Sequence, residues 1–92
     1  MPKQRAPGRK QQIQPLDLEK QLGEVVREIR EEKDILQDRL AREMNTDRTT
    51  ISLIERGGRS PYVRTLIQIA AALNVKPSEF FRRVEILLDA WF

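Results

Sequence analysis

NTDRTTISLIERGGRSP, residues 45–61, decides how the rest of this 92-residue chain is understood. At 100° per residue the segment separates into two faces. Arg48, Thr49, Ser52, Leu53 and Arg56 fall within an arc of about 140°, and Thr50, Ile51 and Ile54 occupy another. Ile51 and Ile54 are therefore candidate core contacts. Asp47 is suited to cap the helix N-terminus. Gly57 stops the helix, Gly58 loosens the chain, and Pro61 fixes the following turn. The spacing predicts a short helix from about Arg48 to Arg56, half of it facing the core and half facing water or a partner. Leu53 is an apolar residue on the outer arc: either it is peripheral core or it touches something apolar outside the chain.

Working outward, four more helices follow from periodicity. Upstream, Leu18, Leu22, Val25 and Ile29 recur at i, i+4, i+7 and i+11, predicting a helix over 17–32 opened by Asp17. Leu36, Leu40, Ala41 and Met44 give a second, over 34–44. Asp34 and Gln37 have the spacing of a capping box, and Asn45 is a residue that tolerates the left-handed terminating conformation. Downstream, Leu66, Ile69, Ala70 and Leu73 predict a helix over 63–73 with Asn74 as its C-cap. Pro77 opens a fifth helix that runs through Phe80, Phe81, Val84, Leu87, Leu88 and Trp91 to the C-terminus. No segment alternates with period 2. The fold class is all-α, with five helices and no internal repeat.

Composition narrows the function. The chain has no cysteine and no histidine, which excludes disulfides, thiolate metal sites, a histidine-based zinc site and an imidazole general base. No cofactor or metal is expected. No apolar run approaches the roughly 20 residues that span a bilayer, and the N-terminus lacks a signal-peptide core. The expectation is a soluble cytoplasmic protein with no membrane partner. The net charge of +3 is uneven. Residues 1–16 carry Lys3, Arg5, Arg9 and Lys10 and no acid; residues 17–92 carry 13 basic and 14 acidic side chains. The first 16 residues, rich in proline and poor in apolar side chains, are expected to be a flexible basic arm. It either follows DNA phosphates or is a simple tail. Within the body, Arg48, Arg56, Arg59 and Arg64 face one acid, Glu55, between residues 48 and 64. Such a cluster is either a solvated face or a patch that attracts a polyanion.

Two short helices joined by the turn Met44–Asp47 have the outline of a helix-turn-helix, whose second helix enters the DNA major groove. The outer arc suits that role. Arg48 can reach guanine O6 and N7, Thr49 and Ser52 can exchange hydrogen bonds with several bases, and Leu53 can touch a thymine methyl.

The segment LGEVVREIREEKDILQDRLAREMNTDRTTISLIERGGRSPYVRTLIQIAAALNVKPSEFF, residues 22–81, resembles the Cro/repressor-type (XRE-like) helix-turn-helix family. The resemblance rests on Gln37, Leu40 and Ala41, on TTIS and IERG within 49–57, on Pro61, and on the apolar pattern over 65–75. DRTTISLIERG is similar to restriction–modification controller proteins, a subgroup. The resemblance implies a compact, lambda-repressor-like five-helix domain over 17–81 after the N-terminal arm. It implies base contacts from Arg48, Thr49, Ser52 and Leu53. Phosphate contacts would come from Gln37, Arg56, Arg59 and Ser60, and a structural ion pair from Arg30 and Glu55. It implies a cytoplasmic, nucleoid-associated protein of bacterial or phage type. There are departures. Asp34 stands where glycine is usual, and Leu36 where a capping Ser or Thr is usual, so the second helix is expected to start from an Asp34 cap. Asn45 replaces a glycine, and Asp47 a Ser or Thr.

The C-terminal VEILLDAWF, residues 84–92, holds five large apolar residues besides Val84. One stripe can seal the core; the rest would leave an exposed patch, which usually marks an interface. A dimer through Val84, Leu87, Leu88, Trp91 and Phe92 in this 82–92 extension is the expectation. The alternative is that the segment only completes the monomer core. The predicted function is a sequence-specific DNA-binding transcriptional regulator, a repressor or autoregulator, that binds a palindromic operator in double-stranded DNA as a homodimer through a recognition helix at 47–56. The alternative is a protein-interaction module, such as an antitoxin or antiactivator, that holds an additional protein partner through the C-terminal helix. An enzyme is not expected, because Ser52 and Ser60 have no histidine to activate them.

Overall fold

The computed structural model describes residues 15–89, with side chains from 18 onward. Five helices follow in order: α1 (Pro15–Glu32), α2 (Gln37–Glu43), α3 (Arg48–Arg56), α4 (Val63–Ala72) and α5 (Pro77–Leu87). Residues 1–14 of the expected arm, and Ala90, Trp91 and Phe92 of the expected interface, lie outside the described residues.

One core joins all five helices. Val25, Val26 and Ile29 of α1, Leu40 of α2, Ile51 and Ile54 of α3, Ile69 of α4 and Phe80 of α5 are all buried in it. Leu18, Leu22, Ile35, Met44, Ala72 and Val75 close its margins. The apolar stripes at helical spacing converge because each helix can bury only the face that carries them.

Helix ends differ from expectation in ways local chemistry explains. α1 begins two residues early, at Pro15, so Asp17 lies in the first turn rather than opening the helix. Proline's fixed φ suits a first helical position. α2 begins at Gln37, with Leu36 at its N-cap and no side-chain cap. Asp34 does not cap it, because Asp34 has φ +56° and terminates α1 instead. An N-cap needs extended backbone, and a left-handed residue cannot supply it. The Ile35 N–H donates to the Arg30 carbonyl at 3.0 Å across this turn. Asp34 thus adopts the conformation that glycine adopts without strain. Asn45 and Asn74 do the same after α2 and α4, with φ +57° and +60°. Asn74 follows the C-cap, Leu73, rather than forming it. α5 ends at Leu87 with Leu88 as its C-cap, short of the C-terminus.

The C-terminal interface residues need correction too. Val84 and Leu88, expected at a dimer surface, are buried in the protomer's own core. Both lie on the face of α5 shared with Phe80, which is fully enclosed. Leu87 and Ile86 are exposed beside them. Arg83 donates two hydrogen bonds, 2.8 and 3.0 Å, to the Glu32 carboxylate and so ties α5 to the end of α1. That contact holds the Glu32 carboxyl below the usual carboxylate range.

Candidate nucleic-acid interface

α2, the turn and α3 are fixed by their own backbone chemistry. Asn45 takes the left-handed conformation, and the Thr46 N–H donates to the Ala41 carbonyl at 2.9 Å, closing the end of α2. Asp47, in extended conformation, then caps α3: its Oδ1 accepts from the Thr50 N–H at 2.8 Å. The Thr50 backbone and hydroxyl donors hold the Asp47 carboxyl below the usual range, and Arg59 adds a smaller pull in the same direction. Gly57 ends the helix at φ +78°.

α3 meets α1 at close range. A Cβ at Gly23 would overlap the Ile54 carbonyl, and lie 2.6 Å from that of Glu55. Only glycine lets the two backbones approach this far. The sequence held a signal for it: a glycine in a helix interior costs about 1 kcal/mol and so marks a packing requirement.

The contact brings Arg30 to Glu55. The Arg30 Nε donates to Glu55 Oε2 at 2.6 Å and Nη2 to Oε1 at 3.1 Å. Arg30 Nη1 donates to the Ile35 carbonyl at 2.7 Å, binding the α1–α2 turn to the same pair. Both side chains are at least nine-tenths buried. The Arg30 pKa is raised, chiefly by the hydrogen bond to Glu55. A bidentate, charge-assisted arrangement with a third bond to a carbonyl is how a buried pair offsets its desolvation.

Gln37 extends this pair to the surface. Its Nε2 donates to Glu55 Oε1 at 2.9 Å, and its Oε1 accepts from Arg48 Nε at 3.2 Å. This amide orientation gives the carboxylate a donor and the guanidinium an acceptor at once. Asp38 stands on the other side, its Oδ1 3.8 Å from Arg48 Nε. Arg48, at the start of α3, is thus exposed yet held from α2. Asp38 is a residue the sequence did not disclose, because its proximity to Arg48 depends on how α2 crosses α3.

The remaining expected residues fall as follows. Thr49 and Arg56 are exposed, and Ser52 is half-buried. Arg56 Nε donates to the Ser52 carbonyl at 3.4 Å, keeping the side chain along the helix. Leu53 is half-buried but is not among the side chains closing the core; it lies over Gly58, where a Cβ would sit 3.3 Å from its Cδ2. Arg59 and Ser60 are exposed. With Thr46, Thr50 and Tyr62 they border a depression of about 500 Å³ beside the N-terminal half of α3. The structure therefore brings Arg48, Gln37, Glu55 and Arg30 into one hydrogen-bonded chain and leaves Arg59 and Ser60 on a separate rim.

Known proteins share this helix-turn-helix architecture. A helix-turn-helix family model matches residues 26–80. The control protein C.MunI of Mycoplasma sp is 34% identical over 70 residues, which cover 75% of this chain and 95% of that protein. The restriction-modification controller protein C.Esp1396I is 35% identical in its wild-type crystal structure. The match covers 77% of this chain and 91% of that one, with a TM-score of 0.72. C.AhdI from Aeromonas hydrophila, also a controller protein, is 33% identical with a TM-score of 0.65; the match covers 70% of this chain and 96% of C.AhdI. A further structure shows C.Esp1396I as a tetramer in complex with its natural 35 base-pair operator; it is 36% identical, with a TM-score of 0.68, and covers 80% of this chain and 93% of that one. The chain belongs to the helix-turn-helix family and, within it, to the restriction–modification controller proteins.

Proposed function

We propose that this chain is a sequence-specific transcriptional regulator that reads a palindromic operator in double-stranded DNA as a homodimer, with α3 in the major groove. The observation that carries the proposal is Arg48. It is an exposed arginine at the N-terminus of the second helix of a helix-turn-helix, anchored through Gln37 to a buried ion pair. A guanidinium held in one orientation loses less freedom when it pairs with guanine O6 and N7. Thr49, Ser52 and Leu53 complete the base-facing set.

Gln37 takes a different part from the one expected of it. Its oxygen is committed to Arg48 and one of its two amide hydrogens to Glu55, so its main task is to aim Arg48. Phosphate contact falls to Arg56, Arg59 and Ser60. A C.Esp1396I tetramer on its operator is a precedent for assembly on DNA. For this chain the dimer surface is drawn from exposed apolar residues on α5, Phe81, Ile86 and Leu87. Operator occupancy then depends on the protein's own concentration, as suits an autoregulator. The competing role as a holder of some other protein uses the same apolar residues but gives no task to the arginines around α3.

Arg48→Ala tests the proposal. Measured against duplexes carrying single base-pair changes in the selected operator, it is expected to relax preference at one base pair per half-site by about 1–3 kcal/mol. An unchanged preference profile would remove Arg48 from the reading face.

A further inference from the structure

α1 carries charge that neither the fold nor the reading face uses. Lys20, Glu24 and Arg27 are spaced i, i+4 and i+7, on one face of the helix. That face borders a depression of about 460 Å³ shared with Gln37 and with Ser52 and Arg56 of α3. The two helices cannot slide here. A Cβ at Gly57 would lie 2.6 Å from Lys20 Cγ and 2.8 Å from its Cα, and Gly23 seats α1 on the Ile54 carbonyl. Lys20 and Arg27 are therefore placed against the recognition helix by backbone contacts.

The charge balance of this depression is positive. Glu55 lies at its base, but its carboxylate is occupied by Arg30 and Gln37. Glu24 is the one other acid against three cations, Lys20, Arg27 and Arg56. Among the described residues no carboxylate comes within 4.0 Å of those three, whereas Arg39 and Arg48 each have one and Arg30 and Arg83 each have two. A concave surface with an excess of one sign of charge attracts the opposite ion. The depression also adjoins Gln37 and Ser52, so it continues the proposed DNA surface from α3 onto α1.

We propose that Lys20 and Arg27 of α1, with Arg56 of α3, form a binding subsite for a phosphate of the DNA backbone flanking the bases that α3 reads. The proposal rests on the DNA-binding role given above. It extends the backbone contacts to a helix that neither the helix-turn-helix spacing nor the loop after α3 assigns. Such a contact fixes register without reading sequence.

The test uses the full chain and a duplex bearing the sequence that the wild-type protein selects from random DNA. Affinity is measured from 50 to 200 mM salt for the wild type, Lys20→Gln, Arg27→Gln and the double variant. Each lost phosphate contact lowers the salt slope by about 0.9, so the affinity ratio across this range falls by about 3.5-fold per contact. Arg27→Lys, which keeps the charge, restores the slope, and base-pair preferences stay as in the wild type. Lys20 and Arg27 could instead serve only the fold, through the packing of their stems along α1. If that were the only role, the melting temperature would fall and the slope would not change, which overturns the subsite. If the wild type binds with a steep slope and both glutamine variants match it, the subsite falls and the DNA role stands. If the wild type itself binds no duplex, both fall.

Discussion

The α1–α3 half of the molecule and the α4–α5 half share one apolar core but differ in what they add to it. In the first, two backbones touch at Gly23, and a chain of hydrogen bonds runs from buried Arg30 through Glu55 and Gln37 to exposed Arg48. In the second, Leu66, Ile69, Leu73, Phe80 and Val84 are buried apolar side chains, and among its described residues there is no buried ion pair. The second half also leaves Tyr62, Val63, Ile67, Phe81, Ile86 and Leu87 exposed. The first half uses polar groups for orientation, and the second leaves apolar surface exposed. The proposed regulator draws on both: an oriented arginine, and a surface through which two copies could meet on one duplex.

The sharpest way to break this comparison is to remove one member of the buried pair. Glu55→Ala leaves the Arg30 charge buried and unpaired and is expected to cost about 3–5 kcal/mol in chemical denaturation. Phe80→Ala, in the apolar half, is expected to cost a similar amount, about 3–5 kcal/mol, by leaving a cavity. The halves part on rescue. The double variant Arg30→Met with Glu55→Leu regains most of the loss, because two apolar side chains need no charged partner. It also leaves Gln37 without its acceptor, so base preference at the Arg48 position weakens although the fold is restored. A stable double variant with full specificity would show that the chain of hydrogen bonds does not aim Arg48.

Next in size is association. Ile86→Ser together with Leu87→Ser is expected to shift the monomer–dimer equilibrium in sedimentation by at least about tenfold, since each exposed apolar side chain contributes on the order of 1 kcal/mol when covered. The melting temperature of the monomer stays nearly constant because neither residue is in its core. Equal dimerisation constants for the variant and the wild type would move the interface off α5. Smaller still is Arg59→Ala. It is expected to weaken binding to all sequences alike and to lower the salt slope by about 0.9.

The smallest effect concerns pH. The Asp47 carboxyl titrates below its ordinary value in the folded state, because it accepts from the Thr50 donors. Its stabilisation is therefore fully present above the unfolded aspartate pKa and is lost as pH falls through the lower folded value. Asp47→Asn is expected to flatten the acid limb of the stability curve, followed by circular dichroism between about pH 5 and 2. An acid limb identical to that of the wild type would deny the cap its ionic part.

Much of this was legible in the chain. The helical stripes, the Asp47 cap and the Gly57 stop are local patterns, and local patterns survive folding. The start of α2 was not legible. Asp34 and Gln37 have capping-box spacing, but Asp34 is needed to terminate α1, and a single residue cannot be left-handed and an N-cap at once. The double duty of Gln37 and the approach of Asp38 to Arg48 were hidden because they depend on the angle between α2 and α3. The burial of Val84 and Leu88 was hidden for a related reason: an apolar stripe on the last helix fits a core and an interface equally well until the helix is docked.

The central claim is that α3 reads base pairs in two symmetry-related half-sites. Selection of bound sequences from random duplex DNA by the full chain tests it most directly. The account predicts an enriched inverted repeat with half-sites about one helical turn, 10–10.5 base pairs, apart, whose guanine preference disappears in Arg48→Ala. Binding that enriches no sequence would contradict it.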